Sequence, residues 1–118
     1  MKPGKPDNIE RIEHIISAID IILSYTERIA FDDFAKDSKT YFATLYQFTI
    51  IGEAVANLDS SIMDNYKYPW YKVKSFRNFI LHEYHAIDER VVWNTAKIIL
   101  PEFRKVMVGI LENEKNNI

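Results

Sequence analysis

A chain of 118 residues, 47% hydrophobic and 14% aromatic, is long enough for one buried core and too apolar for a disordered segment. A formal charge of −2 and a pI near 5.9 argue against a high-affinity, sequence-independent nucleic-acid binder, so any RNA contact must be local or shared with a partner chain. The absence of cysteine excludes a disulfide scaffold, a thiol nucleophile and a Cys-bound zinc, and fits a reducing cytoplasm.

Met1 to Pro6 leads into no apolar run of signal-peptide length, and no stretch approaches a membrane span. A cytoplasmic protein without membrane attachment is expected. Asp7 with Glu10 reads as an N-cap and its capping-box partner. Ile9, Ile12, Ile15, Ile16, Ile19, Ile22 and Leu23 then form one helical stripe, ending near Ala30. Phe31-Asp32-Asp33-Phe34 reads as a turn pinned by two aromatics. Asp37 and Ser38 can cap a second helix to about Leu58, with Tyr41, Phe42, Leu45, Phe48, Ile51 and Val55 inward. Gly52 inside that helix costs about 1 kcal/mol relative to Ala, which the close approach of another helix would justify.

Asp59-Ser60-Ser61 marks a break and Ile62-Met63 a short helical turn. Pro69 suits the first position of a third helix carrying Trp70, Val73, Phe76, Ile80 and Leu81. His85-Ala86-Ile87 reads as a corner. Asp88 caps a fourth helix through Val91, Val92, Thr95, Ile98 and Ile99, and Pro101 should kink it or start a fifth through Phe103, Val106 and Ile110. From Glu112 the chain is polar, and residues 1–7 and 113–118 are expected to be flexible ends. Scarce Gly and Pro disfavour an all-β fold. The expectation is all-α: one domain over 1–118, an antiparallel bundle of four to five helices.

Arg77-Asn78-Phe79-Ile80-Leu81-His82-Glu83-Tyr84 places four polar, phosphate- or proton-handling side chains on a helix that otherwise packs a core. Arg supplies a fixed cation for phosphate, and His a group that titrates near neutral pH. At about 100° per residue, Arg77 and Tyr84, seven apart, fall on nearly the same line, and Asn78 and His82, four apart, on the adjacent one. Such a cluster suits a cleft or a subunit seam. The plain alternative is an electrostatic Arg77, a satisfied His82 and an ordinary amphipathic Tyr84.

Other residues carry less. His82 and His85 are three apart, whereas the zincin motif needs histidines four apart, so no metal site is expected. His14 sits alone on a solvated flank. Glu53 is an exposed helix glutamate by spacing, or else points at the polar cluster. Lys72 and Lys74 add charge before Arg77 but read as a solvated face. No Gly-rich phosphate loop and no Ser-His-Asp arrangement is present.

The ordered set Tyr25-Thr26, Phe31-x-x-Phe34, Ile50-Ile51-Gly52-Glu53-Ala54, Pro69-Trp70, Arg77-Asn78-x-x-x-His82-x-Tyr84, Ile87-Asp88 and Val92-Trp93 resembles the HepT family of the HEPN superfamily, over about residues 8 to 112. Glu83 departs from the Gly many relatives carry, and its carboxylate beside His82 would lower local phosphate affinity. The resemblance implies a HEPN-like bundle and the toxin of a type II toxin–antitoxin pair. It implies a metal-independent endoribonuclease, with tRNA one candidate substrate, whose cleft forms across a homodimer and needs no cofactor. Arg77 and His82 are the implied catalytic residues, with Asn78, Tyr84 and Glu53 in support. The implied antitoxin is a minimal nucleotidyltransferase of the MntA type, which transfers AMP to Tyr84. A second reading is a non-catalytic helical partner or substrate subunit of that nucleotidyltransferase. A third is a dimeric structural bundle without a site.

Overall fold

Asp7 opens the first helix, its carboxylate accepting from the Glu10 backbone N–H at 2.8 Å. The computed structural model describes residues 7–117. Of the expected flexible ends 1–7 and 113–118, residues 1–6 and Ile118 lie outside the described residues. Helix α1 (Asn8–Thr26) buries Ile12, Ile15, Ala18, Ile19 and Ile22, the i, i+3, i+4 pattern of its stripe. It stops at Thr26, four residues before the expected end. There Lys97 Nζ donates to the Thr26 carbonyl (3.1 Å), placing a cation on the negative end of the helix dipole.

Phe31-x-x-Phe34 is a helix in its own right, α2 (Phe31–Lys36), rather than a turn. Asp33 sits in its first turn and accepts from the Ala30 N–H. Phe34 is fully buried and packs on Tyr41 and Trp93, with ring centroids 5.7 and 5.3 Å away. Asp37 caps α3 (Ser38–Ala56) through the Thr40 N–H, as its position predicts. The break at Asp59 leads into α4 (Ser60–Asn65), which seats Ile62 in the core.

Helix α5 (Trp70–Glu83) has Pro69 just before its first turn, and Trp70 Nε1 donates to the Tyr66 carbonyl (3.0 Å). Beyond it come a 3₁₀ turn (Tyr84–Ala86) at the expected corner and α6 (Glu89–Asn94), capped by Asp88 through the Arg90 N–H. A π-helical turn (Thr95–Ile99) leads directly into α7 (Leu100–Asn116).

Pro101 explains the π turn. Proline offers no N–H to the ladder and crowds the carbonyl four residues back. The chain accommodates it by widening one turn, so that the Leu100 N–H bonds to the Thr95 carbonyl five residues earlier. The fourth and fifth expected helices are therefore one continuous, locally widened rod. The extra residue also rotates the apolar stripe: Ala96 and Leu100 are buried, while Ile98 and Ile99, expected inward, are exposed; Val91, before the turn, is exposed as well.

Helix α1 packs between α3 and α7, and α3 between α1 and α5. Among the described residues there is no strand, and the all-α bundle expected from the sequence is what forms. The core lies along α1, α3 and α7, with Ile19, Val55 and Met107 fully buried. Arg104 of α7 pairs with both oxygens of Asp20 on α1 (2.6 and 3.0 Å) at the rim of that packing. Helix α7 continues to Asn116, past the point where a frayed tail is expected. Its last turns hold Asn113 and Glu114, which hydrogen-bond the Tyr66 hydroxyl.

Helix α5 is an edge helix: α3 is the helix it packs against, and only Trp70 and Ile80 are buried. With one main neighbour it has one well-covered side. Leu81, expected in the core, is accordingly exposed, and so is Phe42 near the start of α3, whose ring stands edge-on to Tyr41. No helix among the described residues is long and apolar enough to cross a membrane.

Candidate active site

Helices α3 and α5 cross at Gly52. A Cβ built there would overlap Arg77 Cβ and Cγ, far inside van der Waals contact, so only glycine permits this approach. The close helix approach that the sequence required for an interior glycine is therefore present, and its partner is the motif arginine.

The crossing places Glu53, the next residue, against the Arg77 head group. Arg77 Nη2 donates to both Glu53 oxygens, at 2.5 and 2.6 Å, and Nη1 donates to the Asn78 side-chain oxygen. The arginine side chain is 23% exposed and the glutamate 54%. Of the five guanidinium N–H groups, three are committed. What remains is one N–H on Nη1 and the Nε–H, which is buried without a partner among the described residues. The Nη1 N–H that remains can make a charge-assisted bond to an acceptor, and bonds of this kind are the strong ones. Glu53 is thus both of the things its spacing allowed, an exposed helix glutamate and a member of the cluster.

His82 does not join them. It is exposed one turn beyond Asn78 along α5, and no hydrogen bond among the described residues links it to Arg77 or Tyr84. Five positions separate Arg77 from His82, a rotation of about 140° on a helix. Tyr84 also leaves the line predicted for it. The helix ends at Glu83, whose backbone angles (φ −132°, ψ 30°) depart from helical values, and Tyr84 opens the tighter 3₁₀ turn. Its exposed ring stands edge-on to His85, with centroids 5.6 Å apart.

The single chain therefore assembles Glu53, Arg77 and Asn78 and leaves His82 and Tyr84 facing outward among exposed Phe79 and Leu81. His14 is solvated, as expected. Among the described residues no group of three His, Asp or Glu side chains comes together as a metal cluster. An apolar groove of about 250 Å³ opens between α3, the first half of α5 and the start of α7. Its walls include Phe48, Val73, Phe76, Ile99 and Phe103. Arg77, His82 and Tyr84 do not line it, and no residue pattern in the sequence announces it.

Comparison with known proteins gives a consistent result. The Ribonuclease HepT-like family profile matches residues 15–110. The chain is 34% identical over 101 residues to a Thermococcus cleftensis protein named "Probable ribonuclease HepT", covering 85% of this chain and 92% of that protein. It is 33% identical over 105 residues to a protein of Caldanaerobacter subterraneus subsp. tengcongensis proposed by its name to be an RNase, covering 88% and 94%. A third relative, from Methanocaldococcus jannaschii and likewise proposed by name to be an RNase, is 28% identical over 100 residues (84% and 86%). No solved structure matches. With the profile spanning the helices that build the Glu53–Arg77–Asn78 cluster and carry His82, the chain belongs to the Ribonuclease HepT-like family.

Proposed function

We propose that the protein is an endoribonuclease that cleaves RNA without a metal, and that it serves as the toxin of a type II toxin–antitoxin pair. The observation that carries this reading is Arg77: an arginine fixed by Glu53 and Asn78, on the same helix as an exposed His82. In the reaction the ribose 2′-oxygen attacks its own phosphorus, and the bond to the departing 5′-oxygen breaks. A base takes the 2′-OH proton and an acid protonates the leaving oxygen. The products are a 2′,3′-cyclic phosphate and a free 5′-hydroxyl. Arg77 stabilises the charge that gathers on the phosphoryl oxygens.

One His82 per chain is short of one proton-transfer group. A homodimer related by a twofold axis supplies two, and it would also cover Phe79 and Leu81, which the single chain leaves bare beside His82. The antitoxin in this reading is a minimal nucleotidyltransferase that transfers AMP from ATP to the Tyr84 hydroxyl and releases pyrophosphate. That hydroxyl is open to a second enzyme, and the added phosphate and adenosine would repel and block RNA.

The test is cleavage of total tRNA by purified protein in EDTA, beside a His82→Ala control. Cleavage with cyclic phosphate ends, absent in the variant, is expected. The alternative reading, a non-catalytic substrate subunit of the nucleotidyltransferase, is favoured by the net charge of −2 and by the neutralisation of Arg77 by Glu53. It predicts no cleavage by protein whose Tyr84 is shown by mass spectrometry to be unmodified.

A further inference from the structure

The charge of this chain is unevenly placed. Between Asp64 and Glu83 there is no acidic residue, and the segment carries Lys67, Lys72, Lys74 and Arg77. Four cations there leave −6 on the remainder of a chain whose formal charge is −2. The excess sits on α5 and the loop leading into it, with Lys67 and Lys72 exposed.

The same helix carries an unexplained aromatic. Tyr71, Ser75, Asn78 and His82 follow the i, i+4, i+7, i+11 spacing, so they form one strip along α5, and all four are exposed. Tyr71 is 67% exposed, the most exposed large apolar side chain among the described residues. Among the described residues neither a side-chain hydrogen bond nor a ring contact holds it there, in contrast to Tyr66, Tyr68 and Tyr84. Packing gives this ring no role. It stands about 16 Å from His82 along the helix axis, three turns toward the N-terminus.

We propose that this strip is a track for single-stranded RNA, in which a base stacks on Tyr71 and the adjoining phosphates lie along Lys67 and Lys72, a few nucleotides from the phosphate cleaved at Arg77 and His82. Lysines that follow a backbone and an open aromatic face that takes any base are the two parts of a sequence-tolerant single-strand site. Their segregation onto one helix lets a net-acidic protein bind RNA locally, whereas a duplex, with its bases stacked inside, offers Tyr71 nothing. The inference deepens the ribonuclease reading and rests on it.

The experiment measures fluorescence anisotropy of 2′-O-methyl decauridylate, which lacks the attacking hydroxyl, against wild-type, Tyr71→Ala and Tyr71→Phe proteins. A matched abasic probe is run alongside, and cleavage of unmodified RNA is measured in parallel. Tyr71→Ala is expected to weaken binding by about tenfold, with Tyr71→Phe close to wild type. Wild type and Tyr71→Ala should bind the abasic probe equally. If Tyr71→Ala binds the intact probe as wild type does while wild type still cleaves, the track is wrong and the ribonuclease reading stands. If wild type neither binds nor cleaves, both fall. Should Tyr71→Ala turn a dimer into a monomer by light scattering, a second copy covers this ring and the proposal is overturned. Circular dichroism confirms the fold of each variant, which the exposure of Tyr71 favours.

Discussion

Gly52 lies beneath the Arg77 side chain at the crossing of α3 and α5, with no room for a Cβ between them. The glycine thereby sets the depth at which the arginine sits, and with it the reach of Glu53. Gly52→Ala must push α5 outward or drive Arg77 from its rotamer. We expect a loss of about 1–3 kcal/mol in urea unfolding and a marked fall in RNA cleavage. Gly109 in α7 is the control, since a Cβ there meets nothing within 4 Å. Gly109→Ala should raise stability by about 0.5–1 kcal/mol and leave cleavage unchanged.

Glu53 holds Arg77 in place and also cancels its charge, and two variants separate these effects. Glu53→Gln keeps an acceptor for Nη2 but adds a net positive charge beside the phosphate. It should bind RNA more tightly, with a steeper salt dependence, while kcat falls. Glu53→Ala frees the guanidinium, and kcat/KM should drop by about tenfold or more through lost positioning. Stability should change by less than about 1 kcal/mol in either variant, because the carboxylate is more than half exposed. Steady-state cleavage kinetics and thermal melts distinguish the outcomes.

Tyr84 makes no hydrogen bond to His82 or Arg77 among the described residues and is largely exposed. Tyr84→Phe should therefore fold normally and cleave within a few-fold of wild type. It should also resist silencing by a nucleotidyltransferase and ATP, and intact mass spectrometry should detect no added AMP. Silencing of the variant with AMP attached elsewhere would remove Tyr84 from the scheme.

Phe34 anchors the junction of α2, α3 and α6 through its contacts with Tyr41 and Trp93. It is fully buried, so Phe34→Ala should cost about 3–5 kcal/mol and lower the urea midpoint accordingly.

The Asp37 carboxyl is held below its usual value by the Thr40 hydroxyl and then by the Thr40 backbone N–H. A depressed folded pKa contributes stability that is complete above the unfolded value of 3.8 and is lost as pH falls through the folded value. Asp37→Ala should therefore lower Tm at pH 7, and the gap to wild type should close as pH drops well below 3.8.

Helix existence and most helix starts were legible in the residues, since both are local. Asp7, Asp37 and Asp88 each cap the helix predicted for them, because a capping carboxylate reaches an N–H only two or three residues away. Gly52 announced a close helix approach, and Arg77-x-x-x-x-His82-x-Tyr84 with its flanking motifs announced the family. Burial was less legible. Phe42, Leu81 and Val91 fit helical stripes yet are exposed, because a stripe states which residues share a face and not whether anything covers it.

By itself, then, the sequence determined an all-α domain, its caps and the candidate residues, through hydrogen bonds and periodicities that span a few positions. Only the tertiary structure decided that Glu53 takes Arg77 while His82 and Tyr84 stay apart. The Glu53–Arg77 pair joins residues 24 positions apart through a crossing between separate helices. Tyr84 leaves its line because the helix gives way at Glu83, and Ile98 and Ile99 turn outward because Pro101 withholds one N–H and the preceding turn widens to compensate. Each of these outcomes depends on what the folded chain places next to a residue, and helical periodicity carries no information about that.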